Sequence, residues 1–386
     1  MSAALEAVHL NGQTLRITLD GARIGAITPV AGPAQAVILP LPVDPHVHLD
    51  KTHVIDRCPP AAPGLFGAIA AIMADVPNWT ADDLRARAER GMREAWANGF
   101  RAIRTHVDWP AAQAPLSWSV LGEVAQDWAG RITLQRAALT ALDTLGDPAI
   151  GPQIAAEVAR TGGVLGCFIY RNDDLAAKLA RVFDLARAHD LWLDFHVDEG
   201  LDTEATGFDA IVAQTARHGM GGRVLCGHAC SLGTRPEADV ARVMAQAAQA
   251  GVALTILPTS NGWLQDNSPG RSPRLRGMAP MQELRAAGVA VLLGADNVRD
   301  PFYPYGSYDA LDIYRQAVLG QHLAPADWLD TITAAPARAL GLPEARIAPG
   351  EAADFLLIAV PDWAEAISLP RAARQVFRAG ALQPER

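Results

Sequence analysis

Eight short β-rich runs recur along the chain, most of them followed by enough residues for a helical return. They fall at residues 36–50, 99–108, 131–139, 163–170, 191–199, 223–230, 251–258 and 288–297. Parallel neighbouring strands need crossovers of about a dozen residues or more, usually helical. The first run, AVILPLPVDPHVHLD, is apolar until its end, as expected of a strand covered on both faces. Residues 80–98 read as an amphipathic helix with Thr80 as its N-cap, and 174–189, 203–219 and 235–249 read similarly. Glycine follows several of these helices, as a left-handed C-cap requires. Eight β/α units in series predict an α/β fold, a closed (β/α)8 TIM barrel.

The two ends of the chain differ from this middle. Residues 4–28 alternate apolar and polar side chains around Asn11-Gly12 and Asp20-Gly21, both hairpin signals. Residues 352–380 repeat the style. The expectation is a small, β-sandwich-like domain built from 1–40 and 345–386, with the barrel at 41–344 inserted between its halves.

Half of the 386 residues are hydrophobic and 19% are charged, which suits a large core. A net charge of −9 argues against nucleic acid or an anionic membrane as partner. No apolar run is long enough for a transmembrane helix, and the N-terminus lacks the basic start of a signal peptide. Cys58, Cys167, Cys226 and Cys230 are too irregularly spaced for a disulfide framework. Cys226 and Cys230 flank His228, but residues four apart on a strand lie too far apart to share a metal. The expectation is a cytoplasmic protein, with homo-oligomerisation compatible with its size.

Polar residues gather where the strands end. Side chains at i and i+2 of a strand point to the same side, so His46 and His48 can grip one metal ion. His106 and Asp108 end the second run, His196 and Glu199 the fifth, His228 the sixth and Asp296 the eighth. Active sites of (β/α)8 barrels lie at the carboxyl ends of the strands. The bland alternatives are a helix-capping Glu199, a core His228, and an Asp108 that merely holds His106. His189 and His218 fall near helix ends, and the role of His53, just past the first run, stays open.

The motifs at 45–50 (PHVHLD), 104–108 (RTHVD), 195–199 (FHVDE), 227–228 (GH) and 296–304 (DNVRDPFYP) resemble the amidohydrolase superfamily, most closely its cytosine deaminase branch. The resemblance runs over essentially the whole chain. It implies metal ligands at His46, His48, His196 and Asp296. The fourth run ends in Ile169-Tyr170 and offers no lysine to bridge two metals, so one divalent ion, Zn2+ or Fe2+, is expected. Such a site leaves a position for water and lowers its pKa from about 16 towards 7. By the same resemblance Glu199 protonates a ring nitrogen and passes the proton to the leaving amine. Asp296 accepts a proton from water, and His228 orients or polarises that water.

Leu65, Phe66, Trp109, Asn261, Trp263 and Phe302 fall in expected strand-to-helix loops and are candidate substrate contacts, and His106, which matches the motif, either touches substrate or supports the ligands from behind. Phe302 stands where cytosine deaminases carry tryptophan. The resemblance also leads one to expect a glutamine after the third strand, near Ala141, reading the amide edge of cytosine. Alanine cannot make those bonds, and Gln135 lies too early in the run. Lys51 and Arg299 add positive charge that suits a carbonyl or acidic group on the substrate. The sequence therefore reads as a metal-dependent hydrolytic deaminase of a cyclic amidine or amino-substituted N-heterocycle related to cytosine, though not cytosine itself. The alternatives are a ring-opening cyclic amide hydrolase and a non-catalytic barrel relative.

Overall fold

The computed structural model describes residues 4–384. Eight parallel strands form the central sheet in simple sequential order. These are β5 (Val43–Val47), β6 (Ala102–Asp108), β7 (Thr133–Ala141), β8 (Cys167–Ile169), β9 (Leu193–Val197), β10 (Val224–His228), β11 (Ala253–Ile256) and β12 (Ala290–Leu293). The ring closes between β5 and β12, where Val47 bridges Asp296 in parallel register. At that seam the Asp296 N–H donates to the His46 carbonyl at 2.8 Å. The buried Asp44 carboxyl accepts from the backbone N–H of His46 at 3.0 Å and of Ala295 at 3.1 Å. A strand-one side chain thus ties the last strand to the first, and two expected metal ligands share one seam.

Seven strands from the termini make a second, mixed sheet in the order β15-β14-β13-β4-β1-β2-β3. They are β1 (Ala4–Leu10), β2 (Gln13–Asp20), β3 (Arg23–Pro29), β4 (Ala36–Pro40), β13 (Phe355–Ile358), β14 (Arg374–Arg378) and β15 (Ala381–Leu382). Strand alternation divides β4 between two cores. Ile38 packs with Val8, Ile17, Phe355 and Phe377, whereas Val37 and Leu39 face the barrel core with Leu356 and Ile358. Fully burying each such side chain is worth about 1.5–3 kcal/mol.

The run at 36–50, read from sequence as one strand, is split between the two sheets. Pro40 and Pro42 lack the N–H that a continuous ladder needs, so the chain changes sheets there. The fourth barrel strand is also shorter than its apolar run. Gly166 precedes it because a Cβ there would lie 1.9 Å from the Asp194 carbonyl oxygen. The helix at Ala81–Ala97 starts as expected, with Thr80 Oγ1 accepting from the Asp83 N–H at 3.2 Å. Leu65 and Phe66, by contrast, open a helix (Leu65–Asp75) rather than lying in a loop.

Candidate active site

The ends of β5 and β12 and, across the barrel mouth, those of β9 and β10 bring the histidines and Asp296 together. His46 Nε2 lies 3.0 Å from His196 Nε2, which lies 3.1 Å from His48 Nε2. Asp296 Oδ1 lies 3.4 Å from His46 Nε2 and 3.1 Å from His48 Nε2. Metal–ligand bonds of roughly 2.0–2.1 Å in a tetrahedral site would set such atoms about 3.3 Å apart. All four residues are buried. Burial, reinforced by the Lys51 ammonium, keeps the His48 imidazole well below its ordinary pKa. Burial, and then His46, do the same for His196. Burial works to raise Asp296, but bonds from His46 and His48 outweigh it and hold the carboxyl well below its usual range. Imidazole lone pairs and a carboxylate oxygen aimed at one buried centre are the donor set of a divalent cation.

Backbone and neighbours hold this geometry. Asp296 sits at φ 60 and His228 at φ 74, left-handed values that a non-glycine residue adopts at a cost of about 1–3 kcal/mol. The Ser260 hydroxyl donates to Asp296 Oδ2, leaving Oδ1 to face the imidazoles. Gly227 is required by close approach, since a Cβ there would stand 2.6 Å from His46 Cε1. His106 lies behind the cluster, its ring centroid 4.0 Å from that of His46. It meets Asp194 at 3.2 Å, and Asp194 accepts from Arg104 at 2.9 Å. Gln135 belongs to the same buried network, accepting from Arg104 at 2.8 Å.

Asp198, at φ 48, turns the chain after His196 and accepts from the N–H groups of Gly207 and Phe208 at a helix start. That turn delivers Glu199 to the cavity wall. Burial, with the Asp296 charge behind it, raises the Glu199 carboxyl well above its ordinary value. His228 Nδ1 lies 3.5 Å from Glu199 Oε1 and within 3.3 Å of the Asn261 amide, while its Nε2 is buried without a partner. Burial brings His228 down to about 3, so the ring is neutral. Its ligand atom falls within 4.8 Å of those of His46, His196 and Asp296.

A cavity of about 570 Å³ opens over this cluster, lined by His48, His196, Glu199, His228 and Asp296. Of the expected substrate contacts, Leu65, Trp109 and Phe302 line it, and so does Ala141. The four others do not. Phe66 is 65% exposed and packs towards Tyr170, Asn261 holds His228, and His106 is walled off behind His46. Trp263 meets Tyr305 edge-on outside the cavity. Arg299 faces Asp56 at 3.9 Å, and His53 is buried near Glu94 at 3.7 Å. Lys51 does reach the cavity, ion-paired with Asp108. Sequence reasoning missed Ser260, whose residue type carries no signal, and the helix at Leu65–Asp75 that walls the mouth with Ile69, Ile72 and Met73.

A model described as the amidohydrolase family matches residues 61–382. The chain belongs to this family. Among its relatives, a pterin deaminase from Rhizobium rhizogenes (strain K84 / ATCC BAA-868) is 40% identical over 352 residues, spanning 90% of this chain and 80% of the relative. The structure of 5-methylcytosine deaminase from Klebsiella pneumoniae liganded with phosphonocytosine superposes with a TM-score of 0.87 at 25% identity, covering 100% of this chain and 98% of that one. N-isopropylammelide isopropylaminohydrolase from Burkholderia multivorans gives 0.81 at 26% identity, covering 99% and 97%. This amidohydrolase is therefore a hydrolase of C–N bonds other than peptide bonds, in the cytosine deaminase-like branch. Family and geometry together support a divalent metal at the buried His/Asp cluster. No helix among the described residues is long and apolar enough to cross a membrane.

Proposed function

We propose that this amidohydrolase is a hydrolytic deaminase of a fused, pterin-like amino-heterocycle. The observation that carries the reading is that His48, His196, Asp296, Glu199 and His228 all border one cavity of about 570 Å³. A bicyclic ring of about a dozen heavy atoms, allowed for each at most the roughly 30 Å³ of a liquid water, needs no more than about 360 Å³. The cavity therefore has room for a fused ring and a substituent. The 40% identity to a pterin deaminase supports the same class. Ala141 on the wall supplies no side-chain hydrogen bond for a pyrimidine amide edge.

His46, His48, His196 and Asp296 would hold the metal, Zn2+ or Fe2+. When bound, the ion supplies the Lewis acidity that makes water nucleophilic near neutral pH. Glu199, kept protonated by burial, delivers its proton to the ring nitrogen beside the amine-bearing carbon as water adds there. His228, neutral and with Nε2 unpartnered, orients that water. Asp296 accepts the water's proton, and Glu199 carries a proton on to the departing amine. The balance is one C–NH2 and one water in, one ring carbonyl and one ammonia out. The four cysteines are free and buried, which supports a reducing, cytoplasmic setting.

The test is ammonia release from pterins, cytosine, 5-methylcytosine and aminotriazines by protein reconstituted separately with zinc, iron and manganese. Product mass separates exchange of NH for O from ring opening, which adds a whole water. Activity confined to single-ring pyrimidines, or a ring-opened product, would overturn the reading.

A further inference from the structure

Lys51 follows the ligand His48 by three residues, in the turn after β5, and its side chain is only 4% exposed. Its Nζ donates to Asp108 Oδ1 at 2.7 Å, and among the described residues that is its one hydrogen bond. An ammonium carries three donors and no acceptor, so two remain without a protein partner. Leaving a buried charge under-bonded is costly. Lys51 is also the one Lys or Arg lining the cavity among the described residues. The Phe302 ring lies 5.3 Å from Nζ and closes one flank. The Asp108 N–H donates to Asp50 Oδ2 at 2.9 Å, which ties the end of β6 to the turn carrying Lys51. Asp108 borders the same cavity and keeps its side chain 36% exposed. Two other polar wall groups are occupied nearby: Asn297 Nδ2 bonds Asp300 at 2.6 Å, and Thr140 bonds the Gly166 carbonyl at 3.1 Å.

A fixed cationic donor and an anionic acceptor thus stand side by side on the wall of the reaction chamber. A ring lactam presents the complement, a carbonyl acceptor beside an N–H donor. We propose that Lys51 and Asp108 read the –NH–C(=O)– edge of the substrate ring, Lys51 binding the carbonyl and Asp108 the ring N–H. This rests on the deaminase reading and names its substrate class as 2-amino-4-oxo rings. The pair supplies what Ala141 lacks. A 2,4-diamino ring would put an amino donor against the ammonium and a nitrogen lone pair against the carboxylate. Both contacts would then be mismatched.

The experiment compares 2-amino-4-oxopteridine with 2,4-diaminopteridine as substrates of metal-loaded wild type, Lys51→Met, Lys51→Arg and Asp108→Asn. Wild type is expected to favour the oxo ring by about a thousandfold or more in kcat/KM, because a site built to hydrogen-bond one group rejects its replacement strongly. Lys51→Met should lose most of that preference, chiefly through KM, with metal content unchanged, and Lys51→Arg should recover part of it. A second readout is fluorescence binding of the 2,4-dioxopteridine product, expected to weaken about ten- to a hundredfold in Lys51→Met. If Lys51→Met does not fold, Asp108→Asn decides, because it keeps an acceptor for Lys51 but weakens the N–H contact. A folded, metal-loaded variant that keeps both the preference and the binding overturns the proposal. Failure of wild type to release ammonia from either ring would instead sink the deaminase reading, and the binding comparison would still judge the lactam pair.

Discussion

Substituting Gly227 by alanine probes the link between backbone close approach and the metal site. The new Cβ would stand 2.6 Å from His46 Cε1 and 2.9 Å from its Nδ1. Carbon pairs are comfortable at about 3.5–4.0 Å, so the His46 ring must retreat by roughly 1 Å. Retreat is blocked, because the His106 ring lies 4.0 Å away between centroids and is itself fully buried. Overpacking of this kind costs about 1–3 kcal/mol of stability. Misplacing a reacting group by about 1 Å costs roughly a hundredfold in rate. Gly227→Ala should therefore remain folded, bind the metal more weakly, and lose about two orders of magnitude in kcat. Chelator competition with elemental analysis and steady-state ammonia release measure the two effects. Gly262→Ala, in the short helix Pro258–Leu264, is the control, since no other atom lies within 4 Å of its new Cβ, and helix propensity makes that change neutral or stabilising. Wild-type metal affinity and kcat in Gly227→Ala would refute the steric argument.

Ser260→Ala removes the donor to Asp296 Oδ2 and should weaken metal binding about ten- to a hundredfold, read by chelator titration with the fold unchanged by circular dichroism. Glu199→Gln should cut kcat by about 10² to 10⁴ while leaving metal content intact, in single-turnover assays. The helix at Leu65–Asp75 is moored through Asp75. Burial works to raise this carboxyl, yet Arg57, Asn78 and Trp79 together hold it below its ordinary value. Its contribution to stability is therefore fully present above the unfolded carboxyl pKa of about 3.9 and disappears as pH falls through the lower folded value. Urea midpoints should show wild type above Asp75→Asn at neutral pH, with the gap narrowing below about pH 4. A gap that widens in acid would contradict the assignment.

Much of the site was legible because metal chemistry constrains residue type and strand geometry constrains direction. His46 and His48, two apart, point to one side of a strand end, His196 and His228 lie at the ends of other strands of the same sheet, and Asp296 lies just past a further one. The β/α alternation had to close in sequential order, and it does. Other assignments failed where a side chain had several plausible partners. Asn261 looked like a pocket residue and instead braces His228, and of the two places open to His106 the structure gives the one behind His46.

Local pattern therefore dictates the barrel, the terminal hairpins and the candidate ligand residues, since periodicity, turn chemistry and ligand type act over a few neighbouring positions. The prolines at 40 and 42 break a ladder, but only the packing partners decide that β4 joins the strands of the far terminus. Which polar groups meet depends equally on contacts distant in sequence. Ser260 reaches Asp296 and Lys51 reaches Asp108 once neighbouring strands have paired, and Asp44 reaches Ala295 only once the barrel has closed. Burial then completes the chemistry. Burial takes water from Glu199, His196 and His228, and that desolvation, absent from any linear reading, raises the carboxyl and lowers the two imidazoles.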